Sequence, residues 1–528
     1  MERTWRVGID VGGTNTDAVL LDEAGNLWAQ VKTPTTGDVA GGITAALAAL
    51  LADPGLRDRV GFVMLGTTHC TNAIVERRGL CPVAALRLGA PASTAVPPFT
   101  DWPADLAAAL DPRVAILPGG FEFDGREIAA LDEEAVRRFA RTLDAGRAVA
   151  VVSIFAPVAD AHERRAEEII REVAGPDVSI SRSAAIGSIG LLERENATIL
   201  NAALGSVMAR ATDGFEAAVR TLGLDARCFL TQNDGTLMTL EDARRFPIFT
   251  IASGPTNSLR GAAYLTGLDD ALVIDVGGTT TDVGALVSGF PRESSVAVEI
   301  GGVRTNFRMP DLLSLGLGGG SRLRVLGDRV VLGPDSVGFR LPEKARVFGG
   351  DEWTASDAAV AGGRAKFGDA SRLADWDAAV PARALAEAGR MVQGAVERMR
   401  LSADLLSVIA VGGGAFLVPD GMTDVIQVLR PQGHDVANAI GAAIAEVSGD
   451  VDRVYSLDSV SREAALRHAE DDAIRRAVAG GADAEQVRIV DREDLPLAYL
   501  PGSATRIRVK AVGPLRGLAR RERPRAHA

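Results

Sequence analysis

Val7-Gly-Ile-Asp-Val-Gly-Gly-Thr-Asn-Thr-Asp17 and Val273-Ile-Asp-Val-Gly-Gly-Thr-Thr-Thr-Asp282 are two near-copies of one stretch, and Asp275 stands 265 positions after Asp10. Each reads as a buried strand ending in an acidic residue, then a Gly-Gly turn, then a second strand that opens with hydroxyl residues. The composition suits an anion cradle. Paired glycines let the backbone turn sharply and bring its N–H groups close to a phosphate. Threonine hydroxyls add donors, and the aspartate at the strand end can hold a hydrated Mg²⁺ or a water. A single Gly-Gly turn is equally a common hairpin connection. Two copies, each opening a separate half of the chain, favour the cradle.

Outward from the first copy, Leu27–Val31 is expected as a third strand, and a helix is expected from about Asp38, which is available as its N-cap. Phe62–Leu65 reads as a strand that delivers Gly66-Thr-Thr-His-Cys-Thr-Asn72 to the start of a helix. Ligands of open α/β sheets collect beyond the carboxyl ends of strands. Thr67, Thr68, Thr71 and Asn72 are therefore candidates for phosphate or substrate contacts, or alternatively caps of that helix. Pro82–Leu86 continues the strand–helix alternation. A proline-rich stretch, 89–120, is then expected to be irregular. A helix, the strand Ala148–Ser153, another helix and the short strand Val178–Ile180 follow.

Leu191 to about Leu222 reads as one amphipathic helix, with Asn196 and Asn201 in structural positions. Ser253-Gly-Pro255 opens a helix whose free N–H groups could meet an anion. Around the second copy, Ser314-Leu-Gly-Leu-Gly-Gly-Gly-Ser321 allows close backbone approach to a ligand, or is a flexible connector. The strand Leu406–Val411 ends in Gly412-Gly-Gly414, where a nucleotide's sugar and base could rest. Ala437–Ala443 reads as a small-residue helix packed beside it. From about residue 450 a further helix and two strands are expected.

At 528 residues the chain exceeds a single hydrophobic core, so several domains are expected. A net charge of −12 argues against nucleic-acid and membrane surfaces. Three cysteines (Cys70, Cys81, Cys228) form no paired framework and no zinc spacing, which suits a reducing cytoplasm. The basic stretch 520–525 reads as a solvated terminus.

Taken together, Gly8–Asp17, Gly66-Thr-Thr-His-Cys-Thr-Asn-Ala-Ile-Val-Glu-Arg-Arg-Gly79, Ser253-Gly-Pro255 with Gly261-Ala-Ala263, Asp275–Val283 and Ser314–Ser321 resemble the hydantoinase/oxoprolinase family, specifically its A-type, ATP-dependent subunits. That family lies within the superfamily of acetate and sugar kinases, actin and heat-shock chaperones. The chain departs from the family pattern at Asn15, where Phe is usual, and at His69 and Cys70, where small or apolar residues are usual.

The resemblance implies an α/β fold of two duplicated actin-like (ribonuclease H-like) lobes around an ATP cleft, plus a small C-terminal α/β unit. The lobes are expected at 1–185 and 186–449 and the unit at 450–528. It implies ATP and Mg²⁺ as cofactors and a B-type subunit as partner. Gly12, Gly13, Thr14 and Thr16 would cradle one side of the triphosphate, and Gly277, Gly278, Thr279 and Thr280 the other. Asp10 and Asp275 would hold Mg²⁺ or its waters, with Asp17 and Asp282 behind them. Gly412, Gly413 and Gly414 would bound the adenosine, and Thr67, Thr68 and Asn72 would face the substrate. The implied activity is phosphorylation of the carbonyl of a hydantoin, 5-oxoproline or other lactam for ring opening. A small-molecule kinase and a non-catalytic, nucleotide-gated subunit are the alternatives.

Overall fold

The computed structural model describes residues 3–35, 39–294, 297–327, 329–400, 402, 404–458, 460–497 and 504–518. The expected N-cap at Asp38 and the basic stretch 520–525 lie outside them. Among the described residues, no helix is long and apolar enough to cross a membrane.

Each copy of the repeated stretch forms a hairpin flanked by a parallel strand. β1 (Trp5–Val11) pairs antiparallel with β2 (Asn15–Leu21) and parallel with β4 (Val60–Thr67), while β3 (Leu27–Pro34) extends the hairpin. Six of the seven β1 residues are buried, as in a sheet covered on both faces. In the second half, β11 (Ala271–Val276) pairs antiparallel with β12 (Thr281–Val287) and parallel with β19 (Leu406–Val411). β13 (Phe290–Pro291), β16 (Leu312–Leu315) and β20 (Val425–Leu429) complete that sheet.

The first sheet draws strands from all three expected segments. Beyond β4 it continues through β9 (Arg227–Thr231), β10 (Leu237–Thr239), β21 (Val447–Ser456), β23 (Ala504–Gly513) and the edge strand β22 (Arg488–Pro496). Hydrogen bonding thus joins the segment from 450 onward to the first sheet. A separate parallel sheet has the order β6–β5–β7–β8, with β5 Val83–Ala90, β6 Arg113–Pro118, β7 Ala148–Ser153 and β8 Ile180–Arg182. Two small hairpins, β14–β15 (Val298–Ile300, Val303–Thr305) and β17–β18 (Ser321–Leu326, Arg329–Ser336), complete the strands. The segment carrying β14 and β15 leaves the second sheet and buries Ile300, Val303, Phe307 and Met309 in the core of the first lobe.

Three local expectations are corrected. The stretch 89–120 is not irregular throughout, since it holds the helix Ala104–Ala109 and the strand β6. The helix expected over 191–222 is two, Leu191–Ala203 and Gly205–Thr221, broken where Gly205-Ser206 weakens the helical ladder. The short strand after β7 starts at Ile180 rather than Val178.

Two helices join the halves. Ser253–Thr266 follows β10 but packs Leu259, Ala262 and Ala263 against Val273, Leu286 and Ile409 of the second sheet. Ala437–Ile444 follows β20 but packs Ala439, Ile440 and Ala443 against Val19 and Leu21 of the first. They cross where glycines admit backbone: a β-carbon on Gly261 would lie 1.9 Å from Ala437 O, and one on Gly441 would lie 1.8 Å from Asn257 O.

Candidate functional site

The two hairpins share one register. Asp10 stands opposite Asp17 and Val11 opposite Thr16; Asp275 stands opposite Asp282 and Val276 opposite Thr281. The turns close alike, with Gly12 N–H donating to Asn15 O at 3.0 Å and Gly277 N–H to Thr280 O at 2.9 Å. The tips meet: a β-carbon on Gly278 would lie 3.0 Å from Thr14 Oγ1, whereas one on Gly13 would meet no described residue within 4 Å. Thr279 and Thr280 are exposed.

Behind each tip sits a carboxylate with one oxygen held and one facing a glycine. Asp10 Oδ2 accepts from Asn438 Nδ2 at 3.0 Å, and Asp275 Oδ2 accepts from Ser258 Oγ at 2.5 Å. A β-carbon on Gly66 would lie 2.4 Å from Asp10 Oδ1, and one on Gly412 would lie 2.3 Å from Asp275 Oδ1. Gly66 is the penultimate residue of β4 and pairs with Asp10, whereas Gly412 follows β19, whose Val411 pairs with Asp275, so each half leaves out a side chain beside its carboxylate, one register position apart. Asp17 pairs with Lys32 at 2.7 Å and shares the Asn438 amide at 2.9 Å, while Asp282 accepts from Ser314 Oγ.

The carboxyls are hard to ionise. Burial, with the charges of Asp17 and Asp275 added, pushes Asp10 up to about 7 against the opposing Asn438 and Asn257 amides. Desolvation pushes Asp275 up to about 6, with the Ser258 bond and Lys32 opposing and Asp282 and Asp17 adding. Asp275 therefore lies within electrostatic reach of Asp17 and Lys32 of the first hairpin. Burial also raises Asp282.

The remaining expected residues divide. Thr16 is buried with its hydroxyl 3.4 Å from Thr35 Oγ1, and by register the first-half counterpart of Thr280 is Asn15. Thr67 is also buried, its hydroxyl against His69 Nδ1 on the face of β4 away from Asp10. Thr68 Oγ1 donates to Val11 O at 3.2 Å and accepts from Asn72 Nδ2 at 3.4 Å, so neither side chain caps the helix His69–Glu76. Burial lowers the His69 pKa, keeping it neutral, and pushes the Cys70 thiol up to about 12, an inert state.

The glycine turn after β19 is stitched to β11, with Gly414 N–H donating to Val276 O at 2.7 Å, and Gly413 faces open space. The glycines of 314–321 brace the second hairpin from behind: Gly319 and Gly320 N–H donate to Gly277 O and Gly278 O at 3.0 and 2.7 Å. The helix Ser253–Thr266 starts without a side-chain cap, and a β-carbon on its Gly254 would lie 3.7 Å from Asp10 Oδ1. The partly positive end of that helix therefore adjoins the first carboxylate.

Sequence reasoning missed Asn257, Ser258 and Asn438. The signal for Asn438 was present: it is the one polar side chain in an otherwise apolar run, Ala437–Ala443.

Among the described residues, no three His, Cys, Asp or Glu side chains converge on a metal site. Mg²⁺ needs fewer, since it keeps waters and takes one or two carboxylates together with substrate phosphates. Asp10 Oδ1 fits that demand, being buried and, among the described residues, without a hydrogen-bond partner. The hairpin tips, with glycine at Gly12, Gly13, Gly277 and Gly278, fit phosphate oxygens.

Residues 6–174 match the hydantoinase/oxoprolinase N-terminal region and residues 194–369 the hydantoinase/oxoprolinase family. Caprolactamase subunit alpha of Pseudomonas jessenii is 30% identical over 388 residues, covering 68% of this chain and 54% of that protein. The acetophenone carboxylase gamma subunit of Aromatoleum aromaticum is 29% identical over 390 residues, covering 67% of this chain and 52% of that one. The chain thus spans about half the length of these curated relatives. Among solved structures, the ATP-dependent caprolactamase of Pseudomonas jessenii aligns at TM-score 0.74 and 20% identity, over 97% of this chain and 88% of that one. A nucleotide-free acetone carboxylase aligns at TM-score 0.68 and 19% identity, with the same coverage. At these identities the likeness is one of fold.

Proposed function

The chain belongs to the hydantoinase/oxoprolinase family, and on that premise we propose that it activates a cyclic amide with ATP for ring opening. An unstrained amide resists hydrolysis because its carbonyl is a poor electrophile and its nitrogen a poor leaving group. In the proposed reaction the amide oxygen attacks the γ-phosphorus of ATP as the bond to ADP breaks. Water then adds to the activated carbon, the ring C–N bond breaks as the nitrogen takes up a proton and leaves as the amine, and a second water cleaves the resulting acyl phosphate to carboxylate and phosphate.

Phosphoryl transfer asks mainly for positioning and charge neutralisation. Gly12, Gly13 and Thr14 would hold one side of the triphosphate and Gly277, Gly278 and Thr279 the other. Asn15 and Thr280 would border the tips, and Gly412–Gly414 would bound the adenosine. Asp10 and Asp275 would hold Mg²⁺ or its waters; the ion, when bound, neutralises charge developing on the phosphate oxygens. Thr68 and Asn72 are the substrate-facing candidates, while Thr67 would act from behind His69. Because Thr14 abuts Gly278, nucleotide binding must part the tips. The observation that carries this reading is the pair of register-matched hairpins, each backed by a carboxylate with one oxygen beside a glycine.

Relatives are named as subunits alpha, gamma and beta, which supports a partner chain; we assign it the B-type role of completing hydrolysis. A second reading has its own support, since two relatives are carboxylase subunits: the same cleft could activate a ketone-derived oxygen for carboxylation. Incubating the chain, with and without a candidate partner, with hydantoins, lactams or ketones plus bicarbonate separates the readings. Ring-opened acid with phosphate release supports the first, and a carboxylated ketone supports the second. A stable phosphoester would indicate a kinase, and substrate-independent turnover or none would remove the amide reading.

A further inference from the structure

We propose that Asn438 is a positioning residue for Asp10, and that with Ser258 it forms one mount, carried by the two crossing helices, that keeps a single oxygen of each site carboxylate available to a divalent cation. The inference rests on the nucleotide–metal reading above.

Asn438 lies 428 positions from Asp10 yet donates from one Nδ2 to Asp10 Oδ2 at 3.0 Å and to Asp17 Oδ2 at 2.9 Å. Both amide hydrogens are used, and its Oδ1 accepts the Ala439 N–H at 2.8 Å. The side chain therefore has one orientation, and it joins two carboxylates that would otherwise repel. Its height above Asp10 is fixed by backbone. A β-carbon on Gly8 would lie 2.1 Å from Ala439 O, so β1 and the helix Ala437–Ile444 are in direct contact. The crossing partner of that helix carries Ser258, which holds Asp275 Oδ2.

With the Oδ2 atoms engaged, Asp10 Oδ1 is left buried and, among the described residues, without a hydrogen-bond partner, on the side where Gly66 supplies no β-carbon and where Asn257 Nδ2 also lies. An orphaned carboxylate oxygen of this kind is costly unless a cation or its water completes it.

Removing partners of this kind weakens metal binding by about 10–100-fold in known sites. The test is calorimetric titration of the full chain with ADP alone and with Mn²⁺–ADP, using wild type, Asn438→Ala and Ser258→Ala. Asn438→Ala is expected to weaken Mn²⁺–ADP by about 10-fold or more while ADP alone binds as before. Should Asn438→Ala not fold, Asn438→Ser, whose single hydroxyl can serve one carboxylate, is expected to lose metal affinity in the same sense. Equal losses with and without Mn²⁺, or unchanged Mn²⁺–ADP affinity in a folded variant, would overturn the positioning role and leave the nucleotide reading standing. Failure of wild type to bind Mn²⁺–ADP would remove both.

Discussion

The two hairpins agree in register to the residue and differ in what holds them. In the first, one amide, Asn438, ties Asp10 to Asp17, and Lys32 neutralises Asp17 from the neighbouring strand. In the second, two hydroxyls act separately, Ser258 on Asp275 and Ser314 on Asp282, while Gly319 and Gly320 brace the turn from behind. Asp10 is buried, its Oδ1 without a hydrogen-bond partner among the described residues, whereas Asp275 is half-buried; burial raises the pKa of both. Backbone geometry repeats because a phosphate cradle needs glycines at fixed places. The charge environments diverge because they depend on side chains from elsewhere in the chain. The first half therefore carries the carboxylate that gains more from a cation.

The severest way to break the comparison is to remove each carboxylate in turn. Asp10→Ala and Asp275→Ala are each expected to cut substrate-dependent ATP consumption by about 1000-fold or more, read as phosphate release. Retention of full activity in either would assign that half a structural role only.

Next come the glycines beside the carboxylates. Gly66→Ala and Gly412→Ala would place a methyl 2.4 and 2.3 Å from the respective Oδ1. Both should lose nucleotide–metal affinity by roughly 100-fold, the scale of a displaced ligand. Gly412→Ala should also melt lower, because Gly412 has φ +83° and a side chain there costs roughly 1–2 kcal/mol.

A gentler comparison uses pH. A carboxyl whose folded pKa is raised binds its proton more tightly in the folded state, so between about pH 4 and 7 stability falls as pH rises. Without metal, Asp10→Asn should therefore stabilise the protein at pH 8 and change little at pH 4. The gain is bounded by roughly 4 kcal/mol, and that for Asp275→Asn should be smaller. Denaturant midpoints at the two pH values test this, and equal gains would remove the inferred asymmetry. The smallest effect concerns the tips. Gly13→Ala meets no described residue within 4 Å and should leave the nucleotide-free tips and the melting temperature unchanged, its methyl crowding only a bound phosphate. Gly278→Ala presses on Thr14 and should shift the closed state by about 1 kcal/mol, seen as a changed nucleotide dissociation rate.

Much of this was legible in the sequence because it is local. Buried strand, glycine turn and acidic strand end sit within a dozen residues, and their repetition identified the halves. Gly66 and Gly412 were likewise visible as glycines at strand ends. Long-range membership was not legible. Nothing local tells β21–β23 to extend the first sheet, or residues 298–309 to bury their apolar side chains in the opposite lobe. Residue type suggests Thr16 for the cradle and Thr67 for the substrate side, but strand alternation turns their hydroxyls to Thr35 and His69. Asn438 shows the limit most clearly, since its partners lie at the other end of the chain.

A structure of the chain with Mg²⁺ and a non-hydrolysable ATP analogue tests the shared grip directly. The phosphates are expected to accept backbone N–H groups from both Gly12–Thr14 and Gly277–Thr279, with Thr14 and Gly278 parted and the ion beside Asp10. A nucleotide bound to one hairpin alone, or away from both, would contradict it.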